Sequence, residues 1–342
     1  QARVLKGEQR KQALLALIVF SAGPVVAGQI DLRANEQPIV AKRDEAAIAK
    51  IPANYRFVEP GTLTVAISAL NSPPLALLAS DNRTRIGSDP DIARLLASSL
   101  GLKLKLVPTA WEDWPLGITS GRYDVALVNI AVTEARKQKF DFATYRADSL
   151  AFSVKATSPI NAISGPADLA GRRVIVGSGT NQERILLRWS EENRAAGREA
   201  AKPIYLTDDA SGNLYIQSGR ADVVFGPQSV AAYKAALNGT TKVVGLGPKT
   251  TWGATTSKQG NDLVLALQAA CNRAAARGGR AVGMQQLQKC GQGGGCDGEV
   301  EFDFSAARAL AQAMQSSAFG RCDGQRVADQ RHQHRHAIVQ VL

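Results

Sequence analysis

The first 270 residues of this 342-residue chain contain neither cysteine nor histidine. All four cysteines lie from position 271 onward, and the three histidines are crowded near the end of the chain. A disulfide scaffold, a thiolate zinc site and a catalytic histidine are therefore excluded from most of the chain. Cys290 and Cys296 lack the paired Cys-x-x-Cys spacing of a zinc site, so we expect no metal and no cofactor.

Apolar runs are too short for a membrane span, which needs roughly 20 apolar residues. The run Ala13 to Phe20 follows Arg10 and Lys11 and precedes a stretch of small residues. This pattern predicts a secretory signal peptide at residues 1–28, cut near Ala27, rather than a membrane anchor or a buried helix. We therefore expect the mature protein in the periplasm.

The sequence also lacks a concentrated basic surface, although its net charge is +11. Three of these charges fall in residues 1–28 and three in residues 271–342, and the rest are dispersed. Aromatic residues make up 6% of the chain and do not interleave with basic ones. Nucleic acid is therefore not an expected partner.

The chain is longer than one average domain, which favours two lobes. After a polar N-terminal connector at 29–60, apolar strand-like runs alternate with amphipathic helical stretches, as in an α/β fold. We assign residues 61–152 plus 245–277 to lobe 1 and residues 157–242 to lobe 2, with two crossovers that form a hinge. Residues 278–342 are an irregular C-terminal tail, either a flexible extension or a stretch read out of frame.

Individual elements follow from the periodicity of apolar residues. The predicted strands cover residues 63–68, 103–108, 125–128, 173–176, 204–206, 222–225 and 242–244. The predicted helices cover residues 90–100, 181–193, 210–218, 229–237 and 263–277. Residues 151–155 and 244–256 are predicted to carry the chain between the lobes.

Two groups of motifs appear in a fixed order. The first group is Trp111–Asp113, Ser120–Val125, Thr133–Lys137 and Phe140–Tyr145. The second group is Asp168–Arg172, Val176–Glu183 and Ser218–Phe225. With these motifs the chain resembles, from about residue 61 to 272, family 3 of the bacterial extracellular solute-binding proteins, the amino-acid receptors of ABC importers.

The resemblance implies a periplasmic-binding-protein-like type II fold, in which two α/β lobes joined by a two-crossover hinge close around a small ligand. It further implies transport without catalysis. The expected ligand is an amino acid or a related carboxylate, the expected partner is an ABC transporter permease, and the expected state is a monomer.

Arg136 occupies the place where the family grips the ligand carboxylate. A guanidinium offers two parallel donors that match a carboxylate. The alternative is a solvated arginine beside Lys137 at the start of a helix. Asn129 and the backbone of Ala131 occupy neighbouring contact places of the family, and the family often has small hydroxyl residues there.

In lobe 2 the resemblance places Thr180, Asn181 and Gln182 at the ligand. They begin a predicted helix after a Gly-x-Gly stretch, where free backbone N–H groups favour an anion. The alternative is that Thr180 only caps the helix. The segment is not a phosphate loop, because it lacks the Lys-Ser/Thr ending.

Two acidic places that hold the ligand ammonium in the family are occupied here by Ala69 and Pro227. A buried ammonium without a carboxylate is costly, so the amine is either held elsewhere or absent from the ligand. The possible substitutes are Asp89, Asp91 and Glu183.

The aromatic residue that covers the ligand in the family is replaced by Ser72, and Leu75 stands at a second aromatic place. Trp111 or Trp114 is a candidate to supply the missing apolar wall, although a tryptophan is more often part of the core than a ligand contact. Two further functions stay open: a dehydratase-like periplasmic enzyme on the same fold, and a ligand-binding sensory module.

Overall fold

The computed structural model of the chain describes residue 36, residues 39–257 and residues 262–277. The predicted signal peptide and C-terminal tail lie outside the described residues. The strands are β1 (Thr62–Ser68), β2 (Leu77–Leu78), β3 (Arg85–Ile86), β4 (Lys103–Thr109), β5 (Val125–Leu127), β6 (Phe140–Lys155), β7 (Arg173–Val176), β8 (Lys202–Tyr205), β9 (Val223–Pro227) and β10 (Thr241–Ser257). The α-helices are α1 (Glu45–Ile48), α2 (Ser88–Ser99), α3 (Trp114–Thr119), α4 (Glu134–Lys137), α5 (Asn181–Ala195), α6 (Asp209–Gln217), α7 (Gln228–Asn238) and α8 (Leu263–Arg277).

One sheet of eight strands runs through the molecule in the order β4-β1-β5-β10-β6-β9-β7-β8. Strands β4, β1 and β5 are parallel and belong to lobe 1. Strands β9, β7 and β8 are parallel and belong to lobe 2. The two central strands, β6 and β10, are antiparallel to each other and to their neighbours β9 and β5.

The burial of each strand follows its place in the sheet. All but the last residue of β1 are buried, as expected for a parallel strand covered on both faces. At the sheet edge, β4 exposes Lys103 and Lys105 and turns Leu104 and Leu106 inward. Lysine on an edge strand hinders pairing with another chain.

Strands β6 and β10 are much longer than the sequence predicted. They pair from Phe140 opposite Ser257, in lobe 1, to Lys155 opposite Thr241, in lobe 2. The pairing register shifts three times along the way, between Val243 and Gly245 in one case. These two strands are the two crossovers, so the hinge consists of paired strands rather than loops.

The hydrophobic core is continuous from one lobe to the other. Tyr145 on β6 and Trp252 on β10 are almost fully buried near the middle of the sheet. Further along β6, Phe152 stacks on Phe225 of β9 at a centroid distance of 4.2 Å and on Trp189 of α5 at 5.5 Å. Both lobes therefore pack on the same pair of central strands.

Part of the predicted N-terminal connector packs on lobe 1. Helix α1 is capped by Asp44, and Ala47 within it is fully buried. The Tyr55 hydroxyl donates to the Asp124 carboxylate at 3.0 Å, and that carboxylate also accepts from the backbone N–H of Thr64 at 2.8 Å. None of the helices in the described part of the chain combines the length and apolarity needed to cross a bilayer.

Candidate functional site

A cavity of about 260 Å³ lies between the lobes, at the carboxyl ends of their parallel strands. Lobe 1 borders it with the segments that follow β1 and β5, and lobe 2 with those that follow β7, β8 and β9. Open α/β sheets bind ligands at such strand ends. The volume lies just below the roughly 300–1,000 Å³ typical of small-molecule pockets, so the cavity suits a small metabolite.

Every residue predicted to contact a ligand borders this cavity. The eight residues are Ser72, Trp111, Asn129, Ala131, Arg136, Thr180, Asn181 and Gln182. The fold thus brings together positions that are far apart in the sequence and that come from both lobes. Their role as ligand contacts stays a prediction.

Arg136 of α4 reaches across the cleft. Its Nη1 donates to the carbonyl of Ala131 in lobe 1 at 2.9 Å, and its Nη2 donates to the carbonyl of Gly179 in lobe 2 at 3.2 Å. The guanidinium carbon lies 5.3 Å from the ring centroid of Trp111 and 5.7 Å from that of Trp114. Two aromatic rings and two carbonyls therefore hold this cation in place.

The charge of Arg136 is not neutralised locally, because no described carboxylate forms an ion pair with it. Burial and, to a lesser extent, the nearby charge of Arg184 lower the pKa of Arg136 to about 10, so the side chain is still protonated at neutral pH. A guanidinium has five N–H donors, and the two carbonyls leave donors that no described residue accepts. An anion satisfies both the charge and the donors.

The segment after β5 carries Asn129 and Ala131 into the cavity. Asn129 has a φ of +57°, in the left-handed region that asparagine tolerates better than most residues. Its side-chain oxygen accepts a hydrogen bond from Nη2 of Arg146. Ala131 forms a β-bridge with Trp252 of β10. Both positions are therefore fixed by the central strands.

The start of α5 is capped by side chains of its own first turn. The Thr180 hydroxyl accepts from the backbone N–H of Glu183 at 3.1 Å, and the Glu183 carboxylate accepts from the backbone N–H of Gly179 at 2.6 Å. These two donors are satisfied by side chains of the helix itself. The anion-binding role expected of Thr180, Asn181 and Gln182 stays a prediction. The alternative prediction, that Thr180 caps the helix, is confirmed.

The three acidic residues considered as substitutes for the missing acids separate in the structure. Asp89 borders the cavity, whereas Asp91 and Glu183 do not. Asp91 pairs instead with Arg94 at 2.9 Å. Glu183 is occupied at the start of α5. Asp89 is therefore the one of these three that a ligand in the cavity can reach.

The apolar wall comes from one of the two candidate tryptophans. Trp111 borders the cavity together with Ser72, Leu75 and Pro227. Trp114 is 2% exposed and lies behind it, 6.1 Å away between ring centroids. Trp111 thus faces the ligand space and Trp114 belongs to the core.

A group of buried charges beside the cavity was missed by the sequence analysis. Arg146 of β6 lies 3.9 Å from the Asp148 carboxylate, donates to the Ser229 hydroxyl at 3.3 Å and lies over the ring of Trp252 at 4.7 Å. The Asp148 carboxylate accepts from the Ser229 backbone N–H at 3.4 Å, at the start of α7. The available signal was an Arg-x-Asp spacing inside an apolar stretch, because residues two apart on a strand share a face.

Asp89 is the third charged group of this region and is 1% exposed. Its carboxylate accepts from the Tyr145 hydroxyl at 3.3 Å, from the Ser88 hydroxyl at 3.4 Å and from the backbone N–H of Asn129. Burial raises the pKa of Asp89 to about 6, although the nearby charge of Arg146 and these hydrogen bonds act in the opposite direction.

The cavity border therefore offers a fixed cation, a buried carboxyl group, and amide and hydroxyl groups. In the described part of the chain, no cluster of three or more histidine, cysteine, aspartate or glutamate residues is placed to hold a metal ion. The groups that are present are suited to recognition of a small polar ligand by charge and hydrogen bonding.

Two curated proteins illustrate the sequence similarity. The chain is 32% identical over 136 residues to the L-cystine-binding protein TcyJ of Escherichia coli, a match that covers 40% of this chain and 48% of that protein. It is 32% identical over 88 residues to the cyclohexadienyl dehydratase of Pseudomonas aeruginosa, which covers 26% of this chain and 32% of that enzyme. The chain thus spans about half the length of the curated relatives it matches, or less.

The fold is similar to that of the amino acid ABC transporter substrate-binding protein AbpA from Streptococcus pneumoniae bound to L-arginine. The TM-score is 0.56 at 19% identity, over 81% of this chain and 100% of that chain. This similarity confirms the predicted type II fold with two α/β lobes and a two-crossover hinge. The sequence profile of the bacterial extracellular solute-binding proteins, family 3, matches residues 63–286.

Proposed function

We propose that this chain, which belongs to the bacterial extracellular solute-binding proteins of family 3, captures a small carboxylate-bearing ligand in the cleft between its lobes. The proposed ligand is an amino acid or a derivative of one. The ligand then passes to the permease of an ABC importer.

The observation that carries this proposal is the state of Arg136. Its guanidinium is partly buried at the cavity border, is supported by Trp111 and forms no ion pair with a described carboxylate. A partly desolvated cation without a counterion is unfavourable, so a bound carboxylate also stabilises the folded protein. Bidentate binding of a carboxylate is the interaction for which a guanidinium is best shaped.

Closure of the cleft follows from contacts on both sides of the ligand. Trp111, Asn129 and Arg136 approach from lobe 1, and Thr180 and Gln182 from lobe 2. A ligand that binds both surfaces favours the closed arrangement of the lobes over the open one. The strands β6 and β10 are the elements that bend.

The partner and the location follow from the family rather than from the cleft. The structural relative AbpA carries the name of an ABC transporter substrate-binding protein. We extend this role to the chain, with a monomer working in the periplasm and an ABC permease as its docking partner. The signal peptide predicted at residues 1–28 accounts for the export.

A second function, catalysis, is favoured by one observation, the similarity to a dehydratase over 88 residues. We propose binding in preference to catalysis, because the cavity border contains a cation and a buried acid that suit a stable complex. A sensory role shares the same binding step and differs only in the docking partner.

A thermal-shift screen tests the proposal. The purified protein is melted in the presence of common L-amino acids, L-cystine, 2-keto acids and dicarboxylates. A ligand at about 100 times its Kd adds about 2.7 kcal/mol to the free energy of unfolding, which raises the Tm by several degrees. Hits are then measured by calorimetry and followed for turnover by mass spectrometry.

Two arginine variants make the screen specific. Arg136→Ala removes the proposed anchor and is expected to weaken ligand binding by about 30-fold or more. Arg188→Ala removes an equal charge from α5 at a site that is 63% exposed and pairs with Glu192 outside the cavity border. This variant is expected to bind nearly as the parent does. Equal losses in the two variants, or no ligand in the panel, would refute the proposed function, and conversion of a bound compound would favour the enzyme.

A further inference from the structure

We infer that Asp89 is the residue that holds the ammonium group of the ligand. This inference rests on the proposed function. It assigns the amine to a carboxyl group of α2 in lobe 1, although the two family places for this task hold Ala69 and Pro227.

The position of Asp89 meets the first requirement, a place at the cavity border. Asp89 borders the cavity and stands in the first turn of α2. Its two side-chain partners, the hydroxyls of Tyr145 and Ser88, lie at 3.3 Å and 3.4 Å, which is long for O–H···O bonds. An ionised carboxylate has about four acceptor sites, so it retains capacity for a charged donor.

The spacing between Asp89 and Arg136 meets the second requirement. The backbone N–H of Asn129 donates to Asp89, and the carbonyl of Ala131 accepts from Arg136. The two charged groups are thus tied to positions two residues apart in one segment, whose backbones are at most about 7 Å apart. An α-amino acid places its ammonium and carboxylate on one carbon, so it requires an acceptor and a donor that are held by one short stretch of the protein in this way.

The balance of charge meets the third requirement. Asp89, Arg146 and Asp148 together contain two carboxylates and one guanidinium, which leaves one negative charge when all are ionised. Arg136 is a positive charge without a carboxylate partner among the described residues. Asp89, which lies beside this net negative charge, and Arg136 both border the cavity. Groups of opposite charge at one cavity border are the complement of a zwitterion.

The other acids of the cavity border are already used by the protein. Asp208 accepts from the backbone N–H of Ser211 at 2.8 Å and caps α6. Asp209 pairs with Lys234 at 2.7 Å. Among the bordering carboxylates, Asp89 is therefore the one that neither caps a helix nor forms an ion pair in hydrogen-bond range in the described part of the chain.

The experiment removes the amine from the ligand and, separately, the Asp89 carboxylate from the protein. Calorimetric Kd values are measured for each L-amino acid that binds, L-cystine included, and for its 2-keto acid. The parent is compared with Asp89→Asn, with Asp91→Asn as the control for loss of a buried acid off the cavity, and with Asp209→Asn as the rival site. Cooperative melting of each variant is checked first.

The expected result is that Asp89→Asn weakens binding of the amino acid by about 30-fold or more and alters binding of the keto acid by less than about threefold. Asp91→Asn and Asp209→Asn bind the amino acid nearly as the parent does. Equal losses for both ligands, an unchanged Kd in Asp89→Asn, or a loss confined to Asp209→Asn would overturn the inference and leave the proposed function standing. If the parent binds no carboxylate at all, both fail together.

A measurement on the parent protein keeps the inference testable if Asp89→Asn does not fold. The groups that face Asp89 are Ser88 of α2, Tyr145 and Arg146 of β6 and the backbone of Asn129. Burial holds the pKa of Tyr145 well above 10, so Asp89 is the group among these that changes charge in mild acid. Because the pKa of Asp89 is about 6, affinity for the amino acid falls as pH drops through 6.

The expected fall is about tenfold between about pH 7.5 and pH 5, with little change for the keto acid. A pH-independent affinity for the amino acid, or the same fall for both ligands, would overturn the inference.

Discussion

Two arginines of the cleft, Arg136 and Arg146, are held in opposite ways. Arg136 donates to carbonyl groups and has no carboxylate partner among the described residues. Arg146 lies beside Asp148 and near Asp89, with a ring of Trp252 beneath it. The first arginine is thus prepared for an anion from outside, and the second serves the anions of the protein itself.

Arg146→Met tests the second role. The change leaves two buried carboxylates without their cation, so we expect the free energy of unfolding to fall by about 3–5 kcal/mol near neutral pH. The loss should be smaller at about pH 5, because Asp89 then binds a proton instead. Urea melts at both pH values measure the effect.

Arg173→Met is the matched control for this substitution. Arg173 pairs with Asp222 at 2.7 Å, but its side chain is 42% exposed. An exposed pair of this kind contributes at most about 1 kcal/mol. If the two variants lost the same stability, burial would not be what makes Arg146 important.

The difference between these arginines also explains which site residues the sequence could identify. Arg136 lies in a motif that the family resemblance covers. It borders the cavity together with the seven other residues predicted to contact the ligand. Arg146 and Asp148 lie between the Phe140–Tyr145 motif and the crossover predicted at residues 151–155, in a stretch for which the sequence made no prediction. Their partners come from segments distant in sequence. A contact such as that between Arg146 and Ser229 requires the three-dimensional fold.

At the scale of elements, the helices were easier to predict than the central strands. Helix α5 was predicted from 181 to 193 and runs to Ala195, because its start and its apolar face are visible in the sequence. Strands β6 and β10 were each predicted as shorter pieces. Shifts of register and buried charges interrupt the apolar alternation, so the strand period is lost before the strand ends.

Gly245 lies at one of these register shifts in β10 and provides an element-scale test. A Cβ at this position would overlap the backbone carbonyl of Ile163, whose N–H donates to the carbonyl of Val244 at 2.9 Å. We expect Gly245→Ala to lower the free energy of unfolding by about 1–3 kcal/mol or more, because backbone on both sides must move. Thermal melts measure the change.

Gly226→Ala in β9 is the control, because a Cβ there meets nothing within 4 Å. Its stability should stay within about 0.5 kcal/mol of the parent. Equal stability of the two variants would mean that the approach of Ile163 to β10 does not constrain the crossover.

At the scale of the whole molecule, the buried acids determine how stability depends on pH. Burial raises the pKa values of Asp89 and Asp91 to about 6 in the folded protein. The folded state therefore binds protons more tightly than the unfolded state between about pH 4 and pH 6, and stability falls as pH rises through this window. Hydrogen bonds and ion pairs lower the pKa values of Asp168 and Asp222, so their stabilisation is lost only in stronger acid.

We accordingly expect the unliganded protein to be most stable near pH 5. At pH 5, each of the two buried acids adds about 1 kcal/mol to the free energy of unfolding relative to about pH 7.5. Together they raise the Tm by several degrees. A scan of Tm from pH 4 to 8 without ligand measures this, with Asp91→Asn expected to remove about half of the dependence. A Tm that rose steadily to pH 8 would contradict the assignment of these two pKa values.

The pairing of Lys155 with Thr241 has a consequence for the evolution of ligand preference in such a protein. The chain leaves lobe 1 along β6 and returns along β10 at adjacent points, where Ala156 also donates to the carbonyl of Thr240 at 2.9 Å. The stretch from Lys155 to Thr241 is in effect an insert with touching ends. Recombination that exchanged this insert between relatives would replace the lobe 2 half of the cleft and keep Arg136 and Asp89, so new ligand preferences could arise by shuffling halves instead of by changing single positions.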